Sequence, residues 1–181
     1  NIAWMNLSNA FSGCSTLVCT APDSPDLTYV NDLSFMFNNA INFNGNLSNW
    51  DVSNVNTMYG MFLNAQSFNS DLSSWNVSNV NTMTDIFNNA LNFNSNLSSW
   101  NVSNVNNMFG MFAGASNFNS DLSTWDVSNV NDMSYMFSDV STFNSDISNW
   151  DVSKVNNMQY MFNNAINFDQ NIGSWDMDSV S

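Results

Sequence analysis

Histidine and arginine do not occur in this 181-residue chain, and lysine occurs once, at Lys154. Without an imidazole, no serine has a base partner and no cysteine has a group to activate it. Paired carboxylates suffice for glycoside chemistry, but the Asp residues recur in regular columns, the pattern of a surface and not of a tuned pocket. The chain is therefore read as non-catalytic. Nucleic acid is almost excluded, because phosphate binding needs Lys or Arg to displace counterions. An anionic membrane surface is disfavoured for the same reason. Fifteen acids against one base leave a net charge of −14, which points to cations, neutral sugars, basic proteins or copies of the chain itself as partners. No run of 18 apolar residues exists, so no membrane span is expected. Cysteine occurs twice, at Cys14 and Cys19 in "GCSTLVCT". In an exported chain the two could close a small disulfide loop; the other reading is a pair of buried thiols near the first turn. With no His and no further Cys, a metal site there is not expected. The sequence begins "NIAW", with neither Met nor a visible signal peptide, as in a mature, trimmed or excerpted chain.

What is present is a period. Apolar residues make up 44% of the chain, with seven Trp and fifteen Phe, far too many for an unfolded tail. Trp50, Trp75, Trp100, Trp125, Trp150 and Trp175 are spaced by 25. In step with them run a column from Phe43 through Phe68 to Phe168, and one from Phe37 through Phe62 to Phe162. A Val column starts at Val30 and Val55, a Met column at Leu33 and Met58, and a Leu/Ile column at Leu47. Repeats at such periods stack into arrays. The units are 25–49, 50–74, 75–99, 100–124, 125–149 and 150–174, with 175–181 opening a seventh. Residues 1–24 read as one more, degenerate unit. Leu7, Phe11, Cys14 and Leu17 fit the columns with a shift of about one residue, and Pro25 stands where Trp is due. Terminal units are expected to be atypical because they cap the stack. The other end, "SWDMDSVS", has no polar cap, so either the native chain continues or the end meets another molecule.

Within a unit the spacing suggests two halves. Apolar positions 55, 58, 61, 62 and 65 predict a short helix of about three turns, with Ser53 or Asn54 as its cap. Beyond Phe68, the positions Leu72, Trp75 and Val77 predict a turn and then a short strand, with Asn69 in the turn. Strands stacked in parallel lie about 4.8 Å apart, whereas a helix is about 10 Å wide. The expected fold is thus an α/β repeat solenoid, a curved stack of about seven units with its strands on the concave face. One unit alone cannot bury its Trp, Phe, Met and Val; a stack can.

The pattern "LSSWNVSNVNTM", followed by "MF" or "IF", a small residue and "FN", resembles the BspA-like leucine-rich-repeat surface proteins, including lipoprotein-type members with 25-residue units. The resemblance spans about residues 25–180. It implies a right-handed, parallel-stranded, curved stack that is exported, attached to a cell surface and engaged in adhesion to host proteins, matrix proteins or other cells. It carries over no catalytic residue.

Four sets of residues are candidate contacts. Asp121, Asp126, Asp146 and Asp151 lie in two columns that alternate Asp with Asn. They form either a Ca²⁺-recruiting ladder or a solvated edge on which Asn and salt relieve repulsion; no other cofactor is implied. Phe35, Tyr59, Phe109, Tyr135 and Tyr160 fall outside the inward columns, as a sugar platform, a lateral protein contact or packing between helices. The row Ser48, Ser73, Ser98, Ser123 and Ser148, with Asn49, Ser74, Ser99, Thr124 and Asn149 beside it, is either a regular hydroxyl lattice or a polar turn. Asn6, Asn46, Asn76, Asn96 and Asn101 each begin N-x-S, a glycosylation acceptor in some exported proteins. The reading that joins these observations is an extracellular or cell-surface repeat scaffold for adhesion or for protein or glycan recognition. Its alternatives are a subunit that stacks head-to-tail into a filament and a cation-dependent carbohydrate-binding module.

Overall fold

The computed structural model describes residues 4–19 and 23–181. The chain winds as a stack of 25-residue coils, and each coil is built of turns. Among the described residues there is no α-helix, and parallel pairing is confined to single residues: Asp32, Thr57, Thr82, Asn107, Asp132 and Asn157, each bridged to the next. The expected α/β solenoid, with a strand and a helix in every leucine-rich unit, is therefore corrected.

The reason lies in the backbone of the supposed helix. From Met58 to Ala65 the amides take two routes in alternation. Met61, Leu63 and Ala65 donate to Met58, Gly60 and Phe62, three residues back. Gly60, Phe62 and Asn64 donate instead to Thr84, Ile86 and Asn88 of the next coil. A helix would keep all of these donors within itself. Two residues per coil also have left-handed backbone, at φ 56° for Gly60 and φ 59° for Asn64, and they stop any right-handed run. The apolar spacing nonetheless faces inward: Met58, Met61, Phe62 and Ala65 are fully buried. A chain of tight turns and a helix share that spacing over so short a stretch.

The expected strand at Trp75–Val77 is absent as well. Trp75 N–H donates back to Leu72 and Val80 N–H to Val77, so this stretch is a pair of turns. With no helix to splay the stack, the expected origin of curvature disappears too. Equivalent rings lie 5.5–5.8 Å apart in the Phe62 column but 6.4–6.5 Å apart in the Trp column.

The core is continuous along the stack. Val55, Met58, Phe62 and Phe68 have no exposed surface, and Trp75, Trp100, Trp125, Trp150 and Trp175 are buried, while Trp50 is partly exposed. Phe62 stacks on Phe68 of its own coil at 3.9 Å and on Phe87 of the next at 5.6 Å. Burying one such ring contributes about 1.5–3 kcal/mol, and only a neighbouring coil can supply the cover. From Trp75 onward each indole N–H finds a backbone acceptor in the preceding coil. Trp75 donates to the Leu47 carbonyl, Trp100 to Leu72, Trp125 to Leu97 and Trp150 to Leu122, at 3.0–3.1 Å.

Residues 7–17 lie on the first full coil. Asn9, Phe11 and Gly13 donate to Ser34, Met36 and Asn38, and Phe11 stacks on Phe37 at 5.6 Å. Asn9 and Gly13 have the same left-handed φ as Phe35 and Asn39, an offset of 26 where later coils keep 25. The extra residue falls between Gly13 and Phe35, away from the shared ladder.

Candidate functional site

The two Asp/Asn columns are built by turn chemistry. Asp121 Oδ1 accepts from Ser123 N–H at 2.9 Å, and Asp146 from Ser148 at 2.9 Å. Asp126 accepts from Ser128 and Asp151 from Ser153, both at 3.1 Å. Asn fills the same role at Asn96 and Asn101. Since only one side-chain oxygen is required, Asp and Asn interchange. The Ser123 and Ser148 backbone N–H groups hold the Asp121 and Asp146 carboxyls below the usual carboxylate range. At Asp151 the Ser153 hydroxyl and then its N–H act the same way. All four carboxylates are exposed, and no group of three His, Cys, Asp or Glu gathers among the described residues. The N-x-S matches have the same origin: Asn6, Asn46, Asn76, Asn96 and Asn101 each cap the Ser two residues on.

The column beside the serine row is spent on stacking, and the row itself contributes backbone carbonyls. Ser74 and Ser99 hydroxyls donate to the Ser48 and Ser73 carbonyls of the preceding coil at 2.6 Å, and Thr124 to Ser98 at 2.8 Å. Three further sets tie coils together, and sequence reasoning missed most of them. Asn44, Asn69, Asn94, Asn119 and Asn144 each accept, through the amide oxygen, a backbone N–H of the next coil at 2.8–2.9 Å. Ser95 and Ser120 hydroxyls, both buried, accept the Leu72 and Leu97 N–H groups. Asn79, Asn104 and Asn129 amides donate to carbonyls one coil back. The sole base continues that column, with Lys154 Nζ donating to Asn129 Oδ1 at 2.7 Å. Cys14 and Cys19 are separate thiols, and both are exposed; neither the bridge nor the buried pair is present.

The aromatic set remains, and it has a rule. The first of the two left-handed positions in each coil is held by Phe35, Gly60, Asp85, Gly110, Tyr135 or Tyr160. Where that residue is Gly, the aromatic stands one position earlier, as Tyr59 or Phe109. The glycine is needed because the preceding coil leans across it. A methyl group on Gly60 would lie 2.6 Å from the Phe35 ring. Phe35 thereby meets Tyr59 at 4.6 Å. Farther along, Phe109 meets Tyr135 at 5.6 Å and Tyr135 meets Tyr160 at 5.0 Å. The rings are tilted by 35–58° and pack across the coils, yet Tyr59 stays 38% and Tyr160 53% exposed. No tyrosine hydroxyl of the strip is held by a partner among the described residues. Asp85 interrupts the strip. It is partly buried, it leans over Gly110, and it accepts from Asn88 Nδ2 at 2.7 Å. Burial pushes its carboxyl up from the ordinary value, against the lowering effect of that hydrogen bond. Its signal in the sequence was a lone acid in a column otherwise of Gly and aromatics.

No helix of the described residues is long and apolar enough to cross a membrane. No curated protein matches the chain. One family model matches twice, over residues 5–117 and 95–181, and the overlap of the two matches falls within the repeats. Together the matches span nearly the whole stack, so the chain belongs to the family described as Mycoplasma protein of unknown function, DUF285.

Proposed function

We propose that the chain is a non-catalytic recognition scaffold, displayed outside the cell or on its surface, that holds a protein or a glycan against the aromatic strip. The observation that carries this reading is the strip itself. The Asp/Asn columns are engaged in turns and the Ser74, Ser99 and Thr124 hydroxyls in coil-to-coil bonds, whereas Tyr59 and Tyr160 are exposed and the half-buried Tyr135 packs beside Tyr160. An apolar body with a polar tip is the side-chain type that supplies binding energy at wet surfaces. The net charge of −14 favours neutral or basic partners over polyanions. The resemblance to exported adhesive surface proteins agrees with display outside the cell, and repetition along the stack supplies avidity from weak contacts.

The test is binding of the 181-residue chain to immobilised panels of neutral glycans and matrix proteins, beside a Tyr59→Ala/Tyr135→Ala/Tyr160→Ala variant. The expected result is retention of wild type on a defined subset and at least tenfold weaker retention of the variant, with the melting transition preserved. Equal retention of both proteins, or none of wild type, would overturn the assignment of the strip.

A further inference from the structure

The 25-residue column of tryptophans starts at Trp50. The register there is unambiguous. Asp26 Oδ1 caps Thr28 as Asp51 caps Ser53, and Val30 closes on Leu27 as Val55 closes on Val52. Pro25 therefore occupies the place that Trp fills in every later coil. Farther along, Trp75 and Trp100, Trp125 and Trp150, and Trp150 and Trp175 stack at 6.4–6.5 Å with planes within 4° of parallel. Among the described residues no indole stacks in this way on the Pro25 side of Trp50.

The space is open. A cavity of about 590 Å³ is lined by residues of 4–19 and 23–25 and by the first full coil, within the range of small-molecule sites. Trp4, Phe11, Phe43 and Trp50 bring aromatic surface to it, Pro25 forms part of its wall, and Asp23 adds a carboxylate. Trp50 is only partly buried, in contrast to the later indoles.

We propose that this cavity binds a small planar aromatic molecule, neutral or cationic, which takes the place of the missing ring of the ladder. Shape is set by the aromatic lining of Trp4, Phe11, Phe43 and Trp50, against which a flat ring system packs as the indoles farther along pack on one another. Sign is set by Asp23 and by the overall charge of −14, which oppose an anionic ligand and add cation–π attraction for an amine over the tryptophan faces. The site is separate from the Tyr59–Tyr160 strip and stands independently of the function proposed for it.

The test uses the full chain and four probes, followed by calorimetry and ligand-observed NMR. Indole and tryptamine are the planar probes; cyclohexylmethylamine and indole-3-acetate are the non-aromatic and anionic controls. Saturable 1:1 binding of indole and tryptamine is expected, at least tenfold tighter than either control. Pro25→Trp fills the slot from one side and Ala10→Trp from the other. Each should weaken both planar probes at least tenfold, whereas Tyr135→Ala/Tyr160→Ala should leave their binding unchanged. Failure of wild type to saturate with either planar probe would overturn the proposal. So would equal binding of cyclohexylmethylamine, or unchanged indole binding in both filled variants while their thermal transitions remain cooperative.

Discussion

A single side-chain oxygen decides much at each turn of this chain. Asp121 and Asn96 occupy equivalent places and both accept a Ser N–H. Asp121→Asn keeps the acceptor and relieves the repulsion from Asp146 but gives up the charge, so it should lower the melting temperature at neutral pH less than Asp121→Ala does; thermal scans of the two variants decide. Acid sensitivity follows from the same contacts. Asp51, Asp71, Asp121, Asp146 and Asp151 have carboxyls lowered by hydrogen bonds from serine. A group lowered in the folded state contributes stability that is present above its unfolded value, about 3.9, and is lost as pH falls through the folded one. Urea midpoints should fall below about pH 4 for this reason. Asp85 has the opposite sign, because burial raises it. Its stabilising form is the protonated one, and that contribution is lost as pH rises through the folded value. Asp85→Asn should raise the melting temperature at pH 7, and the gain should shrink toward pH 3.

At the scale of the element, the alternating amides and the left-handed pair replace helix and strand. Gly60→Ala should cost about 1–3 kcal/mol, from φ strain together with the Phe35 contact. In a Phe35→Ala background the contact share should vanish and the φ share persist, which a double-mutant cycle in urea separates. This is also where the sequence misled. Positions 58, 61, 62 and 65 are inward, as their spacing predicted, but inward spacing over two turns does not distinguish a helix from linked tight turns. The distinguishing signal was Asn at 39, 64, 89 and 164, with Gly at 60, 110 and 114, residue types that tolerate left-handed backbone. Phe and Tyr at 35, 135 and 160 concealed that column, because a bulky residue there is uncommon. The columns of Trp, Phe, Met and Val were legible because burial by a neighbour leaves a direct imprint on residue type. The hydroxyl and amide staples were not, since Ser and Asn look alike whether solvated or bonded across coils.

For the molecule as a whole, the period is the structural constant. Contacts run from each coil to the next, so stability is close to a sum over neighbouring pairs. Excision of residues 75–99 joins Ser74 to Trp100 and restores every ladder with one coil fewer. That variant should unfold cooperatively at a modestly lower denaturant midpoint. Excision of residues 75–98 leaves Ser99 as one extra residue at a single junction, the offset of 26 that the first coil already accommodates, and should lower the midpoint somewhat further; circular dichroism through a urea series distinguishes the two.

The direction of the coil-to-coil bonds has a mechanical consequence. Gly60 to Thr84 and Phe62 to Ile86 run along the stacking axis, as does the indole bond from Trp100 to Leu72. A pull along that axis loads neighbouring coils in series, so they peel one at a time. Each released coil frees 25 residues, about 80 Å of extended chain. A tether of this kind would yield under load in equal steps, dissipating work at each one before the chain is drawn taut.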